Sequence, residues 1–196
     1  MQILRRIAHW QVPVIITLLS IVIAVFGDVG REILRFEQSA IASGEYWRLL
    51  SGHFAHLGNH HMWLNLAGLL LVWLLVGRNY TTRQWYVVAA ISIVIMDAGF
   101  WFLDADMRWY VGLSGLLNGL LIGGALRAIR TVPIESSVIC GLVVGKILYE
   151  QFYGPLPGSE SASGGAVVVN AHLYGAAGGA LAAYIIWHRV RRPASI

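Results

Sequence analysis

The sequence has few charged side chains and a single cysteine. Asp, Glu, Lys and Arg make up 12% of its 196 residues and apolar side chains make up 57%, whereas a typical soluble domain has about 25% and about 45–50%. Cys140 has no second cysteine to pair with, which excludes a disulfide framework and a cysteine-ligated metal site. These scarcities exclude an ordinary soluble domain and indicate a chain that lies in a bilayer.

Six long apolar runs support this conclusion, because a helix needs about 20 mostly apolar residues to cross a bilayer. The first run is followed by Val25-Phe26-Gly27-Asp28, a poor cleavage site, so a retained span is predicted instead of a signal peptide. No stretch between the runs is long enough for a soluble domain. The sequence therefore predicts an all-α polytopic membrane protein in which residues 1–196 form one domain, with spans near 12–27, 60–77, 84–103, 112–129, 132–151 and 171–188.

The basic residues predict how these spans are oriented, because Lys and Arg collect on the cytoplasmic side of bacterial spans. Both termini are predicted to be cytoplasmic, in the bacterial inner membrane. The spread of positive charge over the loops accounts for the net charge of +4 without a nucleic-acid partner. The predicted cytoplasmic side holds nine of the fourteen basic residues: Arg5, Arg6, Arg78, Arg83, Arg127, Arg130, Arg189, Arg191 and Arg192.

Spans 2, 4 and 6 are then predicted to begin on the periplasmic face, and each opens with polar residues. Span 2 carries His61 and Asn65 at positions i and i+4, on one face of a helix. Span 4 opens with Ser114 and span 6 with His172. Any one of them alone is typical of a capping or packing residue, but their common depth predicts a site that faces the periplasm.

Small residues predict that spans 4 and 6 pack together, because membrane helices approach closely where Gly and Ala line one face at four-residue spacing. Such a contact would place Ser114 beside His172. A packing seam without chemistry, as in transporters, is the alternative interpretation. The small residues are Gly115, Gly119 and Gly123 in span 4, and Ala171, Gly175, Gly179 and Ala183 in span 6.

A serine next to a histidine predicts nucleophilic catalysis, because the hydroxyl is a weak nucleophile until a base takes its proton. Ser114 is the predicted nucleophile and His172 the predicted base. Asn65, His61 and the backbone N–H of Ser114 are the predicted donors to the oxyanion. No acidic residue lies in the first turn of these three spans, so we expect a Ser-His dyad without a metal or cofactor.

In this order and on these spans, the motifs resemble those of the rhomboid proteases, from about Trp47 to Tyr184. The resemblance implies a six-helix bundle that cleaves membrane proteins at or near their transmembrane segments. It also implies a serine nucleophile on span 4, a histidine base on span 6 and an oxyanion site on span 2. The matching residues are Trp47-Arg48, His56 with His61 and Asn65, Gly112-Leu113-Ser114-Gly115, and Ala171-His172 with Gly175 and Gly179.

Two segments, 44–50 and 112–117, resemble the rhombosortase branch of that family. This resemblance implies membrane-anchored substrates with a C-terminal signal of Gly-Gly, an apolar span and a basic tail. It also implies that water, or the amine of a membrane lipid, resolves the acyl-enzyme. Asn118 departs from the pattern, since many rhomboids have an aromatic residue there and rhombosortases a histidine. We expect its amide to face His172 and to support the base through a hydrogen bond.

Three further features have alternative interpretations. The histidine-dense segment 53–61 is interpreted as structural, with an oxyanion or substrate role for one histidine, or a metal site, as alternatives.

Asp97 and Lys146 are charges at membrane depth, each costing roughly 2.5–3.5 kcal/mol if unpaired. They are predicted to pair, and contact with substrate or lipid headgroups is the alternative. The Gly-, Ser- and Pro-rich segment 152–170 is predicted to be a mobile cap or a slack connector.

The predicted function is therefore intramembrane serine endopeptidase activity. One alternative is an inactive rhomboid-like protein that binds membrane clients, although the presence of both Ser114 and His172 argues against it. A second alternative is a small transporter in which Asp97 and Lys146 are the coupling charges.

Overall fold

The computed structural model describes residues 9–104 and 106–191, and Arg5, Arg6 and Arg192 of the orientation argument lie outside them. Within these ranges the chain forms ten helices and two short strands. In chain order they are α1 (Gln11–Val25), α2 (Gly27–Leu34), β1 (Phe36–Glu37), α3 (Gln38–Ala42), α4 (Arg48–Ser51), α5 (Asn59–Val76), α6 (Thr82–Phe102), β2 (Trp109–Tyr110), α7 (Ser114–Ala128), α8 (Pro133–Tyr153), α9 (Ser159–Ser163) and α10 (Val169–Arg191).

The six long helices α1, α5, α6, α7, α8 and α10 coincide with the six predicted apolar runs. Two of them, α5 and α6, are long and apolar enough to cross a membrane by themselves. Helices α1 and α2 pass the same test only together, and they are bent by 118° at the break between them. The helical architecture is confirmed, whereas six complete spans and the orientation of the termini stay predictions.

Apolar side chains on the outside of the helices fit a lipid environment. On α5, Leu74 is 67% exposed and Leu71 is 58% exposed. Water would penalise such a surface, while hydrocarbon would not. These exposed apolar helices indicate a membrane protein.

Helix α10 packs most extensively against α7 and next against α6. A β-carbon on Gly115 would lie 2.7 Å from the carbonyl oxygen of Ala171, and one on Gly119 would lie 2.6 Å from that of Gly175. Only glycine permits so close an approach of two backbones. The predicted contact between the small-residue faces of these two helices is confirmed.

The β1–β2 pair anchors the chain segment that leads into α7. Phe36 pairs with Tyr110 and Glu37 with Trp109 in an antiparallel register. Arg48 holds the end of α2, since its buried guanidinium donates to the carbonyl oxygens of Glu32 at 2.7 Å and Arg35 at 3.0 Å. The start of α7 is therefore fixed by contacts to the chain between α2 and α4.

Candidate active site

Ser114 is the first residue of α7, and the turn before it is held in place by buried groups. Gly112 has φ of +135°, a conformation that glycine adopts far more easily than other residues, and its N–H donates to the Gly52 carbonyl at 3.2 Å. The buried Tyr110 hydroxyl donates to the Gly112 carbonyl oxygen. Burial raises the pKa of Tyr110, so this hydroxyl keeps its proton and its hydrogen bond.

The structure brings Ser114 and His172 together across the α7–α10 contact. Ser114 Oγ lies 2.9 Å from Nε2 of His172, which is only 5% exposed. The close approach of Gly115 to Ala171, the neighbours of these two residues, determines this separation. The arrangement satisfies the geometric requirement for a nucleophile and its general base.

The other ring nitrogen of His172 contacts an acidic residue that the sequence interpretation did not select. Nδ1 lies 2.8 Å from Oε2 of Glu150, a side chain near the end of α8 that is almost fully buried. The expectation that His172 has no acidic partner was wrong, because it rested on the first turns of three spans and Glu150 lies at the end of a fourth. Glu150 is the penultimate residue of the predicted span 132–151, at the same end of the bundle as Ser114. This position could have identified it from the sequence as a partner for His172.

Lys146 lies one helical turn before Glu150 and contacts the same carboxylate. Its Nζ atom is 2.8 Å from Glu150 Oε2 and 3.0 Å from His172 Nδ1. The predicted pair of Lys146 with Asp97 was wrong, because Lys146 has a carboxylate at i+4 on its own helix. Asp97 instead contacts the fully buried His53, with Oδ1 3.0 Å from Nε2.

The predicted oxyanion donors belong to residues that line the same cavity as His172. The backbone N–H of Leu57 donates to His61 Nδ1 at 3.3 Å, which leaves Nε2 of that ring to carry the proton. Asn65 uses one amide hydrogen for the His61 carbonyl oxygen at 3.1 Å and has a second hydrogen to donate. Ser114 adds its own backbone N–H, because the first N–H groups of a helix have no intrahelical acceptor.

These groups surround a cavity of about 230 Å³ that contains Ser114, His172, His61, Asn65, Lys146 and Glu150. Its remaining wall includes apolar and small side chains between residues 156 and 168. Helix α9, within that segment, packs against α5. The segment predicted as a cap or connector therefore contributes to the wall of the cavity, while its mobility stays a prediction.

Contrary to the expectation, the side chain of Asn118 does not hydrogen-bond to His172. Its side-chain amide donates to the carbonyl oxygen of Ser114 at 2.8 Å, one turn back on the same helix. The asparagine side chain is short enough for its amide to donate to a carbonyl oxygen of the preceding helical turn. This local hydrogen bond replaces the expected bond to His172.

The histidine-dense segment divides into residues with different surroundings. His61 lines the cavity, while His53 and His56 are buried outside its lining. Burial and the neighbouring His61 ring lower the pKa of His56 to about 3, so His56 is neutral at physiological pH. Among the described residues, no three His, Cys, Asp or Glu side chains lie close enough together to hold a metal ion.

A family model described as the rhomboid domain matches residues 43–189, well over half of the chain, including every residue of the cavity named above. The chain belongs to the rhomboid family. Rhomboid proteins are intramembrane serine proteases, and inactive members also exist. The family that the motifs resembled is thus confirmed at the level of the rhomboid domain. No curated protein matches the chain significantly.

Proposed function

We propose that this rhomboid protein is an intramembrane serine endopeptidase with Ser114 as nucleophile and His172 as general base. The observation that carries the proposal is the 2.9 Å separation of Ser114 Oγ and His172 Nε2 inside a cavity with three types of N–H donor. An inactive client-binding protein has no need of that geometry.

In the proposed reaction, Ser114 Oγ attacks a peptide carbonyl carbon while its proton passes to His172 Nε2. The carbonyl oxygen becomes an oxyanion, and His61, the free amide hydrogen of Asn65 and the Ser114 backbone N–H donate to it. The tetrahedral intermediate then loses the amine, which takes the proton from His172. Water attacks the resulting ester, again through His172, and releases the acid and the serine hydroxyl.

We further propose that the substrates are exported proteins with a C-terminal signal of Gly-Gly, an apolar span and a basic tail. This proposal rests on the resemblance of segments 44–50 and 112–117 to the rhombosortases. The cavity would face the periplasm of a bacterial inner membrane, where such signals arrive after export. A lipid amine could then replace water as the acceptor, which would leave the product attached to lipid.

The test is co-expression in a Gram-negative host with a secreted reporter that ends in this signal. Wild type is compared with Ser114→Ala and His172→Ala, and with Ser137→Ala and His60→Ala as exposed controls of the same residue types. We expect shortening of the reporter with wild type and both controls only. Equal shortening with Ser114→Ala would contradict the protease. Failure on this reporter together with cleavage of a generic rhomboid substrate would contradict only the sorting assignment.

A further inference from the structure

We propose that Glu150 is a positioning residue that makes His172 competent as a base, so that the site works as a Ser114–His172–Glu150 triad. The proposal rests on the proposed function and adds to it a third member, supplied by a different helix. Glu150 touches His172 and does not reach Ser114, so its action passes through the imidazole.

The two nitrogens of the His172 ring face two different partners. Nε2 lies 2.9 Å from Ser114 Oγ and Nδ1 lies 2.8 Å from Glu150 Oε2. A neutral imidazole carries one proton, and only the nitrogen without it can accept another. The position of that proton therefore decides whether His172 can act on Ser114.

The Glu150 carboxylate determines which nitrogen of the His172 ring carries the proton. An ionised carboxylate only accepts hydrogen bonds, so a contact of 2.8 Å with Nδ1 requires a proton on Nδ1. The lone pair then lies on Nε2, where it accepts the hydrogen of the Ser114 hydroxyl. Without the carboxylate, the proton is free to move to Nε2, and His172 would become a donor to Ser114 and lose its function as a base.

Lys146 increases the importance of Glu150 for the position of this proton. Its ammonium lies 3.0 Å from Nδ1, and in the absence of Glu150 it would donate to that nitrogen and stabilise the unproductive tautomer. With Glu150 present, the ammonium donates to the carboxylate at 2.8 Å and compensates its buried charge. The negative charge of Glu150 thus also offsets the repulsion between this ammonium and the imidazolium that forms during the reaction.

The test uses the purified full chain in detergent micelles and a fluorophosphonate probe, which forms a bond to the activated serine without needing the natural substrate. The maximal labelling rate and the probe concentration at half-maximal rate are measured separately. The variants are Glu150→Gln, Glu150→Asp and Glu150→Ala, with Glu135→Gln as a control on an exposed position of the same helix. The reporter of the previous section is measured in parallel.

We expect the maximal rate to fall on the order of 10²-fold or more for Glu150→Gln and Glu150→Ala, with little change in the half-maximal concentration. Glu150→Asp should fall less, and added formate should partly restore Glu150→Ala by supplying a carboxylate. Glu135→Gln should match wild type. A purely structural role would not respond to formate.

Because Glu150→Gln leaves Lys146 without its carboxylate, the double variant Lys146→Met with Glu150→Gln removes both charges together. Thermal unfolding of each variant shows which ones keep the fold, and we expect the double variant to be folded and still slow. Wild-type labelling rates in Glu150→Gln or in the double variant would overturn the triad while leaving the protease intact. Absence of labelling at Ser114 in wild type would instead overturn the proposed function itself.

Discussion

His53 and Asp97 form a partly buried contact of 3.0 Å between the segment that follows α4 and the last third of α6. The His53 ring is fully buried, and in the part of the chain that the structure describes its Nδ1 atom has no hydrogen-bond partner. The contact with Asp97 is therefore the polar interaction that supports this ring.

Asp97→Ala should destabilise the protein without disabling its chemistry. Loss of the acceptor leaves a buried imidazole nitrogen unpaired, which costs about 1–3 kcal/mol. We expect a lower midpoint of thermal unfolding in detergent and fluorophosphonate labelling of the folded protein within a few-fold of wild type. Asp106→Asn, at an exposed position, is the control. Loss of labelling in folded Asp97→Ala would show that this carboxylate acts in the reaction.

Gly175→Ala should both destabilise the α7–α10 contact and slow labelling of Ser114. A β-carbon there would collide with the backbone of Gly115, and overpacking of this type costs about 1–3 kcal/mol. Thermal unfolding and labelling rate are the measurements. Gly141→Ala on α8 is the matched control, because a β-carbon at that position meets nothing within 4 Å. Equal behaviour of the two variants would contradict a role for close backbone contact.

Asn65→Ala should lower the maximal cleavage rate by roughly 10²- to 10³-fold, the usual cost of one oxyanion donor. Substrate affinity should change little, since the donor acts mainly on the transition state. Reporter cleavage by purified protein at several substrate concentrations separates the two quantities. Asn59→Ala, an exposed position at the start of the same helix, should behave as wild type.

His56 should make folding sensitive to acid. Its pKa is about 3 in the folded protein because the ring is buried, against 6.5 as the ordinary value. As the pH falls, the unfolded state therefore binds the proton before the folded state does. The contribution of His56 to the free energy of unfolding is fully present above about pH 6.5 and decreases as the pH falls towards 3. His56→Leu should reduce this decrease in thermal unfolding measured between these limits, whereas His60→Leu should not. An identical pH dependence in all three proteins would exclude His56 as its source.

The helices were predictable because length and apolarity are local properties. Each of the six long helices begins or ends within a few residues of the predicted run, and the small-residue faces of α7 and α10 identified their contact. Ser114 and His172 were predictable for the same reason, since each lies in the first turn of a long helix at one end of the bundle.

The partners of charged groups were not predictable in this way. Glu150 meets His172 because α8 lies beside α10, and Asp97 meets His53 because an irregular segment turns inward. Neither arrangement follows from spacing along one helix. Matching Asp97 to Lys146 by opposite charge failed, because it took no account of Glu150 one turn from Lys146.

The glycine contact between α7 and α10 also has a consequence for tolerance to error. The separation of nucleophile and base is determined by two main chains that touch, with no intervening side chain whose rotamer could adjust it. A site built in this way has no compliant part to absorb a small displacement. Its precision is inherited from the backbone, and any added volume between the two helices is transmitted directly to the reacting atoms.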